Sequence, residues 1–148
     1  MKNTVKDVLD YVREEDVKFI RLAFCDVHGR QKNISIMPSE LKRAFTEGIS
    51  FDASVMPGEL ERAFSSGVSI DGSAIKGFAT ADCSDLFLFP APDTLTVLPW
   101  RPSHGRVIRL FCDVKNSRGE SVSADSRGVL KRAVETAKNA GITCNFAA

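Results

Sequence analysis

Two neighbouring segments of this chain have almost the same sequence, and this duplication limits the folds that the chain can adopt. The first, MPSELKRAFTEGISFDAS, covers residues 37–54, and the second, MPGELERAFSSGVSIDGS, covers residues 56–73, an offset of 19 residues (56 minus 37). A repeat protein buries a continuous core only when about three or more units stack. Two copies therefore indicate a local tandem duplication, in which one copy is additional to the unit that the rest of the fold requires.

Each copy has the pattern of a short helix that leads into a strand. A proline begins the copy, Leu, Ala and Phe follow at helical spacing, and a glycine ends the helix before a short apolar stretch and an aspartate. If the fold has a docking position for only one such helix, the two copies compete for it. We expect the first copy to dock, because Ser39 can satisfy first-turn amides, whereas Gly58 lowers helix propensity by up to about 1 kcal/mol. The second copy would then expose apolar side chains, which favours self-association.

Charge and composition exclude several classes of function. The 148 residues carry 20 basic and 19 acidic side chains, a formal net charge of +1, with both signs interspersed. Nucleic-acid binding needs a concentrated basic surface, and binding to a membrane surface needs a polybasic stretch. Neither pattern is present, so we predict no nucleic-acid partner and no membrane partner. The beginning of the chain lacks the apolar stretch of a signal peptide, and no apolar run is long enough to span a membrane, so we predict a cytoplasmic protein.

The cysteines and histidines do not have the spacing of a metal site or a catalytic triad. The four cysteines lie far apart and include no C-x-x-C pair, which predicts reduced and mostly buried thiols. His28 and His104 each precede a glycine, so both are predicted to be turn residues. We therefore expect no metal ion to be bound by this chain.

The remaining hydrophobic pattern predicts an α+β fold. Thr4 can cap a first helix, and KFIRLAFCDV and QKNISIM, joined by a glycine-containing turn, form a β-hairpin. LFLFP, TLTVLPW and GRVIRLFCDVKN predict three further strands. SRGVLKRAVETAKNAG then predicts an amphipathic helix, and ITCNFAA begins a strand that has no partner after it. The apolar stripe of that helix would consist of Leu130, Ala133, Val134 and Ala137.

The loop SIDGSAIKGFATADCSD, which follows the second copy of the helix, is the best candidate for a binding element. It is long, rich in small residues and has an acidic residue near its start, and loops of this kind often carry function. The chain contains no nucleophile–base pair, no H-E-x-x-H and no P-loop spacing. By its motifs alone, the sequence therefore offers little catalytic chemistry.

In the order of its segments, the chain resembles the N-terminal domain of bacterial-type glutamine synthetases. The resemblance rests on VKFIRLAFCDVHGRQKNISI, IDGSAIKGF, SDLFLFPAPDTLTVLPW, GRVIRLFCDV and DSRGVLKRAVETAKNAGI followed by CNFAA, and it covers nearly the whole chain except one copy of 19 residues. It implies a β-grasp fold, a twisted sheet with a packed helix, over residues 17–115. An N-terminal helix at 1–16 would precede it, and residues 116–148 would be the first helix and strand of a truncated catalytic domain.

The resemblance also implies an activity and a set of site residues. Glutamine synthetases are ATP-dependent ligases that join ammonia to glutamate through γ-glutamyl phosphate, with Mg²⁺ or Mn²⁺ held by a C-terminal domain. Their subunits form rings, and the N-terminal domain of one subunit closes the active site of its neighbour. The aspartate of their D-G-S-S loop lies by the ammonium site and aligns here with Asp71, and Gly72, Ser73 and Phe78 are the matching loop residues. Asp52 of the first copy is the alternative.

The chain departs from the family pattern at three points. Ala74 replaces the second serine of D-G-S-S, Phe78 replaces a tryptophan, and the metal-binding E-x-E that should follow CNFAA is absent. ATP and Mg²⁺ or Mn²⁺ are thus implied only for the full-length enzyme, and we expect the chain alone to be inactive. Two interpretations stay open: the chain is the N-terminal part of a glutamine synthetase, or it is a free-standing β-grasp interaction module that docks on a full-length synthetase.

Overall fold

Six strands form a single mixed sheet at the centre of the described structure. The structure is a computed structural model that describes residues 3–26, 28–52, 85–100, 104–116 and 118–145. The strands are β1 (Val17–Cys25), β2 (Gln31–Ile36), β3 (Ile49–Asp52), β4 (Asp85–Pro90), β5 (Thr96–Leu98) and β6 (Arg106–Asn116). Their order is β2-β1-β6-β4-β3, and β5 also pairs with β6. The β1–β6 pair is parallel and the other pairs are antiparallel, so the predicted α+β class is confirmed.

The first helix forms where its capping sequence predicts it. Helix α1 spans Val5–Glu14 and buries Val8 and Val12. The amide of Asp7 donates a hydrogen bond to Thr4 Oγ1 (3.3 Å), and the amide of Thr4 donates one to Asp7 Oδ2 (2.7 Å). This reciprocal pair is a capping box, which satisfies two amides that would otherwise lack a partner at the helix start.

The core lies on one face of the sheet, under α1 and the second helix, α2 (Leu41–Thr46). Ile20, Leu22 and Phe24, at alternate positions of β1, are buried on this face. β1 and β2 form the predicted hairpin, in which Leu22 lies opposite Ile34. The other core side chains from the strands are Val17, Ile36, Ile49, Leu86, Leu88, Ile108, Leu110, Cys112 and Val114.

The first copy of the duplicated segment supplies α2 and part of the core. Leu41 and Ala44 are fully buried, and Phe45 packs against the same cluster. The expected role of Ser39 is wrong, since no side chain caps this helix. A 3₁₀ turn, Pro38–Glu40, leads directly into α2, so Ser39 lies inside a turn instead of at the N-cap. The second copy lies outside the described residues, so the preference for the first copy over the second stays a prediction.

The C-terminal part contains the predicted helix and departs from the predicted strand. Helix α3 spans Ser126–Asn139 and has no buried residue, and Leu130 is 52% exposed. The predicted apolar stripe therefore has no cover within the described chain. Residues 142–145, which were predicted to begin a strand, have no regular structure. A strand needs a neighbour for its backbone hydrogen bonds, and none of the described strands lies beside this segment. The domain boundaries given above stay predictions.

Candidate functional site

The candidate loop lies in the sequence between two strands that pair at one corner of the sheet. β3 is one of the two strands at the ends of the sheet order, and it pairs with β4 from Ile49 opposite Leu88 to Asp52 opposite Asp85. Partner residues in an antiparallel pair have Cα atoms about 5 Å apart. Asp52 and Asp85, the described residues on either side of positions 53–84, therefore lie side by side at this corner. These positions contain the second copy and the loop IDGSAIKGF.

The turn between α2 and β3 requires a glycine. Gly48 has a φ of +77°, a conformation that residues with a side chain rarely adopt. A Cβ atom at this position would also lie 2.8 Å from Phe89 Cε2 and 3.2 Å from Phe87 Cβ. The glycine lets the chain pass close to β4 and turn at once into β3. Helix, glycine and strand thus form one unit that fixes the backbone of Asp52 at the sheet corner.

The structure places only one of the predicted site residues. The backbone of Asp52 lies at the end of β3, opposite Asp85. The predicted positions Asp71, Gly72, Ser73 and Phe78 lie outside the described residues, so their assignment stays a prediction.

Two buried carboxylates that were not predicted from the sequence accept backbone hydrogen bonds, one in the β1–β2 turn and the other at the start of α3. Asp26 accepts hydrogen bonds from the amides of His28 and Arg30, each at 2.9 Å. Burial opposes ionisation of Asp26, but the hydrogen bonds from Arg30 and His28 outweigh burial and hold its pKa below the usual value. The signal in the sequence was an aspartate two residues before His28 in a glycine-containing turn, which is an Asx-turn pattern.

Asp125 is the second of these carboxylates and is 2% exposed. It caps α3 by accepting hydrogen bonds from the amides of Arg127 (3.2 Å) and Gly128 (3.0 Å). Burial raises its pKa, although these hydrogen bonds act in the opposite direction. Ser126 Oγ also donates a hydrogen bond to the carbonyl oxygen of Asp26 (3.1 Å), which ties the cap of α3 to the β1–β2 turn. Both carboxylates are thus bound within the fold and support structure.

The described residues do not form a metal site. Across these ranges, no group of three or more His, Cys, Asp or Glu side chains lies together in a way that could hold a metal ion. Cys112 is buried, Cys25 is partly exposed and Cys144 is exposed, so the expectation of mostly buried thiols holds for only one of these three free cysteines. His28 and His104 lie in exposed turns, as predicted. None of the described helices is long and apolar enough to cross a membrane.

Comparison with known proteins identifies relatives of the whole chain. The sequence model of the family described as glutamine synthetase, beta-Grasp domain, matches residues 16–60 and 55–117. The glutamine synthetase of Clostridium saccharobutylicum is 38% identical over 144 residues, which are 97% of this chain and 28% of that protein. The glutamine synthetase of Mycolicibacterium smegmatis is 40% identical over 139 residues, 93% of this chain and 27% of that protein. This chain thus spans little more than a quarter of the length of these relatives.

Solved structures share the fold. A cryo-electron-microscopy structure of Plasmodium falciparum glutamine synthetase superposes with a TM-score of 0.71 and 20% sequence identity, over 95% of this chain and 24% of that one. A structure of a GmaS–ADP complex superposes with a TM-score of 0.67 and 22% identity, over 90% of this chain and 26% of that one. At these identities the similarity concerns the fold alone. The two overlapping matches of the family model meet inside the duplicated region, where the two copies share one pattern.

Proposed function

Because this chain belongs to the glutamine synthetase family and matches its N-terminal β-grasp domain, we propose that it is the part of a glutamine synthetase that borders the active site of a neighbouring subunit. One observation carries this proposal. The loop IDGSAIKGF, which resembles the D-G-S-S loop by the family's ammonium site, lies in the sequence between Asp52 and Asp85, and these two residues are paired at the β3–β4 corner.

In this proposal, the carboxylate of Asp71 attracts the ammonium ion and accepts a proton from it. A negative charge in a confined site stabilises a cation, and a carboxylate within hydrogen-bond distance can act as a base while the nitrogen attacks. Glutamate, ATP and the divalent ions would be held by the catalytic part of the enzyme, as the family resemblance implies. The contribution of this domain is therefore one acidic side chain and the loop that positions it.

The sequence around each copy supports Asp71 over Asp52. Asp71 is followed by GSAIKGF, which continues the family loop, whereas Asp52 is followed by ASVMPG, which leads into the next helix pattern. Glycine directly after the aspartate allows a tight turn and close approach of the backbone to a ligand, and Ala53 does not offer that freedom.

The test uses a full-length enzyme in which this chain is joined to the catalytic part of the Mycolicibacterium smegmatis relative. We expect Asp71→Asn to lower kcat for glutamine formation by about 100-fold or more, the usual effect of losing a general base. Asp52→Asn is the matched control, because it removes the same charge at the equivalent position of the first copy. Its kcat should stay within about twofold of the parent value. A larger loss from Asp52→Asn would assign the role to the first copy. Full activity of both variants would refute the proposal.

A further inference from the structure

The face of the sheet opposite the core carries a row of polar side chains across four strands. The pairing places Ser35 of β2 opposite Arg21 of β1, Arg21 opposite Arg109 of β6, and Arg109 opposite Thr96 of β5. Directly paired residues point to the same face, so these four side chains form one line, which we call the arginine row. The two guanidinium groups occupy its centre.

Among the described residues, no acidic side chain pairs with the arginine row. Like charges on directly opposite residues destabilise a sheet. Other arginines of the described chain have acidic partners, such as Arg106 with Glu15 and Arg127 with Asp113. Within the described ranges, neither Arg21 nor Arg109 forms an ion pair or a side-chain hydrogen bond, and Arg109 Nε is buried without any hydrogen-bond partner. A buried donor that is left unsatisfied lowers stability, and an oxyanion bound here would satisfy it.

Aromatic rings hold the two guanidinium groups in place. The guanidinium carbon of Arg21 lies 4.8 Å from the centre of the Trp100 ring, and that of Arg109 lies 4.8 Å from the centre of the Phe111 ring. Stacking uses the flat face of a guanidinium and leaves its N–H groups at the edge available for hydrogen bonds. Each guanidinium of the arginine row can therefore donate hydrogen bonds, in its own plane, to a bound ligand.

A cavity opens beside the arginine row. Its volume is about 470 Å³, and it is lined by Phe19, Arg21, Ser35, Trp100 and Val107. Pockets for small molecules usually measure about 300–1,000 Å³ and combine apolar walls with a few polar groups. Trp100 is 60% exposed and Phe19 is 40% exposed, so both offer apolar surface to a ligand.

We propose that this cavity binds a small organic oxyanion, a phosphate or a carboxylate, whose flat apolar part lies against Phe19 and Trp100. The oxyanion accepts charge-assisted hydrogen bonds from Arg21, which lines the cavity, and from Arg109, which is paired with Arg21 in the next strand and is not itself a lining residue. The Ser35 hydroxyl supplies a further donor. This site is independent of the ammonium-side function proposed above, because none of its residues lies in the duplicated segments.

Trp100 is the only tryptophan of the chain, so its fluorescence reports on the cavity directly. The probes are phenyl phosphate and benzoate, which separate phosphate from carboxylate, with inorganic phosphate as a probe without the flat apolar part. Potassium chloride at equal ionic strength controls for screening of charge. We expect a saturable change with phenyl phosphate or benzoate and a dissociation constant of about 1 mM or lower, and weaker binding of inorganic phosphate.

Variants of the arginine row test the assignment. Arg21→Gln and Arg109→Gln should each weaken binding of the responding probe by about tenfold or more, since each removes a charged donor. Arg30→Gln is the matched control: it removes the same charge from an exposed turn and should leave binding unchanged. Arg21→Lys, which keeps the charge and loses the planar fork, should also weaken binding even if Arg109→Gln fails to fold. If none of the probes gives a saturable signal, or if Arg30→Gln has the same effect as Arg21→Gln, the proposal is wrong.

Discussion

One pair of substitutions tests whether the second copy of the duplicated segment can pack against the sheet in place of the first. Leu41 is fully buried in the core, so replacing it with alanine would normally cost about 2–5 kcal/mol of the free energy of unfolding. The second copy carries Leu60, Ala63, Phe64 and Gly67 at the positions of Leu41, Ala44, Phe45 and Gly48. If the second copy can take the place of a damaged first copy, the cost is limited to the difference in docking free energy between the copies.

That difference is small because the copies differ little where they pack. Gly58 in place of Ser39 lowers helix propensity by up to about 1 kcal/mol. Val68 in place of Ile49 removes one buried methylene group, which costs about 0.5–1.5 kcal/mol. If the second copy docks in place of the first, the connection before β4 becomes 19 residues shorter (56 minus 37) and the connection after β2 becomes 19 residues longer. The entropy cost of loop closure therefore favours neither copy strongly. The cost of Leu41→Ala should thus be limited to about 0.5–2.5 kcal/mol.

Urea unfolding, monitored by circular dichroism, gives the free energy of unfolding of four proteins: the parent, the two single variants and the double variant. We expect Leu60→Ala alone to leave this free energy nearly unchanged and Leu41→Ala to lower it by the amount derived above. The double variant should lower it by about 2–5 kcal/mol. The double variant should therefore lose more stability than the sum of the single variants. Additivity within about 0.5 kcal/mol would mean that the copies do not exchange, and it would refute the reasoning.

Three further predictions concern the described core and turns. Gly48→Ala should destabilise the protein by more than about 1 kcal/mol in urea unfolding, because of the positive φ and the contact with Phe89; no change would mean that the turn can move. The folded state lowers the pKa of Asp26, so its contribution to stability is present above the unfolded pKa of 3.8 and is lost as pH falls through the folded value. Asp26→Asn should therefore reduce the loss of thermal stability between pH 5 and pH 3, and an unchanged pH profile would contradict this. Burial raises the pKa of the Cys112 thiol, so a thiol reagent should modify exposed Cys144 quickly and Cys112 only on unfolding, as mass spectrometry of digested protein would show.

Local patterns predicted the elements whose causes are local. The Thr4 cap, the apolar residues at alternate positions of β1 and the glycine that ends α2 all act within a few residues, and the structure contains each of them. The family resemblance supplied the β-grasp fold, because the parallel pairing of β1 with β6 joins residues about 90 positions apart, such as Ile20 and Ile108, and no local pattern specifies it.

The features that the sequence did not predict depend on contacts that it does not show. Ser39 does not cap a helix, because a 3₁₀ turn precedes α2 and moves the helix start to Leu41. The apolar stripe of α3 is amphipathic in sequence, but a pattern of this kind does not say which surface covers it, and Leu130 is exposed. The arginine row likewise becomes visible only when the strand register places Arg21 beside Arg109.

The central claim is that this domain acts in the active site of a neighbouring subunit, and mixing two inactive enzymes tests it most directly. Both are the full-length fusion described above: one carries Asp71→Asn, and the other carries a catalytic part without its metal ligands. After the subunits are dissociated and reassembled together, a site between subunits can combine an intact β-grasp domain from one chain with an intact catalytic part from the other. Random assembly should then restore glutamine formation at about a quarter of the sites, half of the domains times half of the catalytic parts. Mixed rings that assemble and remain as inactive as either parent would contradict the account.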